Sequence, residues 1–207
     1  SVNIFVTFIH AFIIVALAEE FGKFFFLRWF LFPRKAFDEP YDGIIYGVMI
    51  GMGFAAFENI IYVVQGGVEI AILRMFTAVP AHAAFGAIMG YYMGLAKFDY
   101  KNHNKTALLG LFWAVMTHGA YDFFIMQQRF EMLGLLTFVV LIASIIFAQK
   151  AIKIHSSNSP FHPDNVPQKT PTTKVPKAEI ADKMQVPTKQ ESSPETDKLT
   201  AEETPQK

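Results

Sequence analysis

No cysteine occurs in the sequence, which removes disulfide frameworks, cysteine nucleophiles and cysteine zinc sites together. There is no excess charge of either sign either: 18 Lys and Arg stand against 18 Asp and Glu, and no nucleic-acid partner is expected. The chain begins at Ser1 with no basic stretch ahead of its first apolar run. Neither a signal peptide nor a natural start is therefore expected there, and further spans are expected upstream. Beyond His155 aromatic residues all but vanish: Phe161 is the only one, while eight of the eleven prolines fall there. A segment so poor in apolar side chains cannot bury enough surface to offset the entropy of ordering it. Residues 155 to 207 are thus expected to be a disordered polar tail, and residues 1 to 154 the folded part.

The folded part is built of long apolar runs. A hydrocarbon core of ~30 Å needs about 20 helical residues, and five runs qualify, near 2 to 32, 43 to 64, 69 to 96, 106 to 126 and 132 to 152. Charged or turn-prone segments separate them. A soluble helical core is the alternative, but helices in soluble proteins average about 12 residues. The expected fold is an all-α polytopic transmembrane bundle with about five spans. Sorting the connecting segments by Lys and Arg puts Arg28, Arg34, Lys35, Lys97, Lys101, Lys105, Lys150 and Lys153 on one side, and only Arg74 and Arg129 on the other. Positive short loops stay cytoplasmic, so the tail is expected in the cytoplasm and Ser1 outside. The chain is read as an integral protein of the plasma (inner) membrane.

Ionisable groups inside such spans cost at least ~2.5 to 3.5 kcal/mol each, and each one retained is a functional candidate. Glu19, Glu20 and Lys23 lie on the first span, Glu58 on the second, His82 on the third, and His118 and Asp122 on the fourth. Lys23 follows Glu19 by four residues and Glu20 by three, so its ammonium can reach either carboxylate. An ion cluster at a helix end is the plainer explanation, but Phe24 to Phe32 continue the apolar run past the charges. His118 and Asp122 are four apart, which lets the carboxylate orient the imidazole and leaves one ring nitrogen for a substrate, a water or a metal. A polar pair gluing two helices is the competing account. Gly43, Gly47 and Gly51 recur every four residues on the stripe that carries Glu58, and Gly86, Gly90 and Gly94 follow His82 on the third span. Small residues at this spacing let helix backbones approach closely, so Glu58 and His82 are expected at one packed interface. His10, His103, His155 and His162 are expected to lie apart from any site.

Taken in order, Glu19-Glu20-x-x-Lys23, Phe54-x-x-Phe57-Glu58-Asn59, Pro80-Ala81-His82 and His118-Gly119-x-Tyr121-Asp122-Phe123 resemble the PrsW family of intramembrane proteases. The likeness covers roughly residues 15 to 125. It implies membership of the superfamily of type II CAAX prenyl endopeptidases, whose paired glutamates and motif histidines form the active site, and so implies Glu19, Glu20 and His118 directly. In the prenyl endopeptidases a Phe is followed four residues later by His. Here Phe54 is followed by Glu58 and His82 lies on the next span, which leaves either residue to fill that role.

The expected activity is hydrolysis of a peptide bond in a membrane-embedded or membrane-proximal protein, an anti-sigma factor being the substrate of the family's namesake. Glu19, Glu20, His82 and His118 are the expected catalytic residues, supported by Lys23, Glu58 and Asp122. Two versions fit. In one, Glu20, His82 and His118 are ligands to zinc with water in the fourth position. In the other no metal binds, a glutamate activates water, and His118 held by Asp122 donates to the oxyanion. No His-Glu-x-x-His motif occurs to compel zinc. A proton-coupled transporter or a scaffold using the same buried network is the alternative class.

Overall fold

The computed structural model describes residues 3 to 127 and 131 to 166. The polar tail expected beyond His155 lies outside the described residues from position 167 onward. What is described is helical, with four helices long and apolar enough to cross a membrane and one bent helix pair that makes a fifth pass if taken as one span.

The first pass, α1, is one continuous helix over Ile4–Leu31. It starts at Asn3, whose side chain accepts from Phe5 N at 2.9 Å and so caps the free amide end. Two stretches within it, His10–Ala16 and Leu27–Leu31, are wound as π-helix. A π turn holds more residues than an α turn, so each stretch re-aims the side chains that follow, and Glu19, Glu20 and Lys23 fall on the α-helical stretch between them. Pro33 cannot continue the helix, and a short connection leads to α2, Pro40–Gly66. Pro40 occupies its first turn, where a missing N–H costs nothing. Gly67, with φ of 86°, ends α2 in a region that residues with a Cβ rarely adopt.

The third apolar run is not one straight helix. It divides into α3, Val68–Phe76, and α4, Ala78–Phe98, bent by 42° at Thr77. Pro80 supplies the reason: its ring collides with the carbonyl four residues earlier, that of Phe76, so a straight helix cannot pass through. α5 spans His103–Ile125 and the last pass spans Met132–Ser157, its α-helical part, α6, being Leu136–Ser157. α6 runs past the expected end of the folded part, because the His155 ring donates from Nδ1 to the Pro40 carbonyl at 3.0 Å and packs on Tyr91.

α4 is the central helix, touching α2, α5 and α6. Its union with α2 is built on glycine. A Cβ on Gly47, Gly86 or Gly90 would strike the facing backbone, so these two helices meet main chain to main chain. The expected pair of glycine stripes is thus one interface. The outside of the bundle is apolar: Phe5, Phe57, Val64, Leu73 and Phe76 are each more than 60% exposed. An aqueous surface would not carry that much contiguous apolar area, whereas lipid tails solvate it, and the chain is an integral membrane protein.

Candidate active site

The seven ionisable residues expected from the sequence meet at one place. α1 delivers Glu20, entirely buried, and its Oε1 accepts from Lys23 Nζ at 2.6 Å and from His118 Nδ1 at 2.8 Å. Lys23 Nζ also reaches His82 Nδ1 at 2.9 Å and sits 4.6 Å from the centre of the Phe54 ring. An ammonium only donates, so His82 Nδ1 is the acceptor and its Nε2 carries the proton, which it gives to Glu58 Oε2 at 3.0 Å. The packing of α2 on α4 makes that contact, since the glycine stripe brings the Glu58 backbone within side-chain reach of His82. Phe85 stacks on His118 with centroids 5.0 Å apart, and the two histidine rings lie edge to face at 5.1 Å.

His118 is gripped from both sides. Its Nδ1 is held by Glu20, while Nε2 faces Asp122 Oδ2 at 3.3 Å and Glu19 Oε2 at 3.9 Å. Nε2 therefore opens on a cavity of about 250 Å³ whose walls include Glu19, Glu58, His82, His118, Tyr121 and Asp122. Glu20 does not line it. The paired glutamates thus divide: Glu19 reaches the cavity, and Glu20 lies behind it, fixing His118 and Lys23.

Two further residues belong here. Arg74, counted from the sequence as a connecting-loop charge, bonds Glu58 Oε2 at 2.8 Å and stacks 3.7 Å over the Tyr62 ring. The reversal at Gly67 lays α3 along the end of α2, where Asn59 Nδ2 also donates to the Ala71 carbonyl at 3.3 Å, and so brings Arg74 to Glu58. His10, expected to lie apart, lines the cavity as well. Arg74 is a positioning group for the Glu58–His82 pair. Arg74→Gln is expected to lower activity roughly ten-fold while Arg74→Lys keeps most of it, since one lost charge-assisted bond is worth about 1.5 to 3 kcal/mol; cleavage rates of the two variants check this.

One carboxylate and two imidazoles converge closely enough to hold an ion. Ligand atoms of Glu19, His82 and His118 all lie within 4.8 Å of one another. Glu20, the ligand expected together with these histidines, has its Oε1 committed to Lys23 and His118, while its Oε2, like that of Glu19, is buried without a partner among the described residues; Glu19 is the carboxylate whose oxygen meets the distance condition with both rings. Glu19 Oε2 is buried and without a hydrogen-bond partner among the described residues, a costly state for a carboxylate. With all four carboxylates ionised, Glu19, Glu20, Glu58 and Asp122 outnumber Lys23 and Arg74 by two, the charge of a divalent cation. Two imidazoles and a carboxylate are also a donor set found around catalytic zinc. The residues therefore fit a metal, with two adjustments: both His82 nitrogens are engaged, so ligation there replaces the contact to Lys23 or to Glu58, and ligation by His118 Nε2 replaces its approach to Asp122.

The pattern describing the PrsW family intramembrane metalloproteases matches residues 1–148. The chain belongs to the PrsW family. Among curated relatives, it is 45% identical over 112 residues to Protease PrsW of Halalkalibacterium halodurans, covering 54% of this chain and 52% of that one. It is 42% identical over 118 residues to Protease PrsW of Bacillus subtilis, covering 56% and 54%. Against the Oceanobacillus iheyensis protein it is 40% identical over 135 residues, covering 65% and 63%. The chain thus spans between half and two thirds of the length of these PrsW relatives. No solved structure matches it.

Proposed function

We propose that the chain carries the catalytic core of an intramembrane peptidase that hydrolyses a peptide bond in a membrane-anchored protein. The observation that carries this reading is the convergence of Glu19, His82 and His118, from three separate spans, on one cavity within the bundle. Amide hydrolysis needs a base for water, donors for the developing oxyanion and a fixed geometry. Glu20 and Asp122 hold His118; Glu58 and Lys23 hold His82. Glu19 is the carboxylate at the cavity wall with an unpartnered oxygen, and it takes the proton of the attacking water. A carboxylate has two oxygens, so Glu19 can also join His82 and His118 in holding a metal, which when bound supplies Lewis-acid polarisation of water and carbonyl.

The substrate is a segment already in or beside the bilayer, since the surrounding surface is apolar and the reacting groups lie below its ends. An anti-sigma factor, which the resemblance implies as substrate only for the family's namesake, is the candidate carried over to this chain. The excess of Lys and Arg at the α1–α2, α4–α5 and α6 ends supports a plasma-membrane protein with that end, and the C-terminal tail, in the cytoplasm.

The test is cleavage of single-span test proteins in bilayers by the purified chain and by Glu19→Gln and His118→Ala. Cleavage by the wild type, lost on chelation and restored by zinc, together with at least a hundred-fold loss in each variant, is the expected result. Undiminished cleavage in correctly inserted variants would overturn the assignment of the site.

A further inference from the structure

The end of the bundle opposite Arg74 carries a second, unrelated concavity. It lies between the last turns of α1 and the first turns of α5, has a volume of about 330 Å³, and is lined by Phe24, Arg28, Trp29, Asn104, Ala107 and Leu108. Its composition is two-sided. Arg28 and Asn104 form the polar part, joined by a bond of 3.2 Å from Nη2 to Oδ1. Phe24, Ala107 and Leu108 form an apolar floor running towards the middle of the bundle. The Trp29 ring is fixed beside it, stacked on Phe25 at 4.9 Å and edge-on to Phe24 at 6.2 Å. Trp at the end of a span marks the level of lipid headgroups.

The surrounding charge is positive and, among the described residues, is not paired with an acid. Arg28 lies over the Phe32 ring at 4.4 Å and Lys97 approaches the same ring at 5.1 Å, so two cations share one aromatic ring. Lys97 Nζ also bonds the Phe32 carbonyl. Among the described residues, none of Arg28, Arg34, Lys97, Lys101 and Lys105 is within ion-pair distance of an acid. Two nearby acids are spent on backbone. Asp42 accepts from the amides of Asp38 and Glu39, and Asp99 from those of Lys101 and Asn102.

We propose that this concavity is a binding site for one anionic phospholipid. The phosphate would lie against the Arg28 guanidinium and the Asn104 amide, with Lys105 one residue further on. One acyl chain would lie along Phe24, Ala107 and Leu108. Guanidinium recognises phosphate through paired N–H donors, and basic pockets between spans are where anionic headgroups settle. A soluble phosphate ester satisfies the polar half but leaves the apolar floor uncovered, which is why the ligand is a lipid. The site is independent of the catalytic cavity and of the peptidase reading.

The experiment is native mass spectrometry of the whole chain released from nanodiscs of equal parts phosphatidylglycerol and phosphatidylcholine. One retained phosphatidylglycerol per chain, in preference to phosphatidylcholine, is expected. Arg28→Gln should reduce that retention about five-fold, the worth of one headgroup cation. Leu108→Trp, which fills the floor and leaves every charge in place, should reduce it similarly. Lys150→Gln, at the same end but on α6, should leave it unchanged. Equal retention of the two lipids, an equal loss in Lys150→Gln, or displacement of the lipid by millimolar inorganic phosphate would each overturn the proposal.

Discussion

Glu20→Gln is expected to abolish cleavage and to destabilise the bundle at the same time, and the two effects separate in a second variant. Glu20 is entirely buried, and its Oε1 accepts from both Lys23 and His118. Removing its charge leaves a buried ammonium whose nearest carboxylate is Glu19 at 3.7 Å. Breaking one partner of such a pair costs about 3 to 5 kcal/mol. Gln keeps an oxygen for the two donors but not the charge that strengthens both bonds, so His118 is held less firmly and activity falls by about a hundred-fold or more. Adding Lys23→Met removes the stranded ammonium. The double variant should regain much of the thermal stability measured in detergent while remaining inactive. If stability and cleavage return together, Glu20 acts only by holding the helices and its part in orienting His118 is wrong.

The glycine seam between α2 and α4 carries the second large effect. A Cβ on Gly90 would stand 2.7 Å from the Gly43 carbonyl carbon and 2.8 Å from Ile44 Cα, and one on Gly86 would stand 2.8 Å from the Gly47 carbonyl carbon. The neighbours are main chain and cannot swing aside, so the helices must part. Gly90→Ala should therefore cost about 2 to 3 kcal/mol, the upper range for overpacking. A longer side chain there should prevent assembly. Gly53, on the same helix as Gly47, has nothing within 4 Å of where a Cβ would lie, and Gly53→Ala should be neutral or slightly stabilising. Thermal unfolding of the pair decides it, equal tolerance being the outcome that contradicts a backbone-to-backbone seam. Parting α2 from α4 also separates Glu58 from His82, so activity in Gly90→Ala should fall further than the unfolded fraction accounts for.

Much of the site is legible in the sequence. Glu19, Glu20, Lys23, Glu58, His82, His118 and Asp122 are conspicuous because charge in an apolar span is expensive, and the helical repeat then says which of them share a face. Lys23 and Glu20, three apart, meet as that repeat requires, and so do His118 and Asp122, four apart. Arg74 is hidden because, near the start of the third run, it counts with the connecting-segment charges. The reversal at Gly67, which lays α3 along the end of α2, brings it to Glu58. His10 is hidden because an ideal α-helix carried through residues 10 to 16 does not allow for the extra residue of a π turn, and nothing in that stretch of sequence announces one.

The sequence by itself determined that the chain is a membrane bundle of about five passes, where those passes begin and end to within a few residues, and which ionisable groups lie inside them, since length, hydropathy and period are local properties. The tertiary structure alone decided which member of the adjacent pair faces the cavity. Neighbouring residues on a helix point about 100° apart, and only the packing of α1 against α5 turns Glu19 to the cavity and Glu20 to Lys23 and His118. The same packing, by fixing distances between groups on different helices, brings a Glu19 oxygen together with His82 and His118.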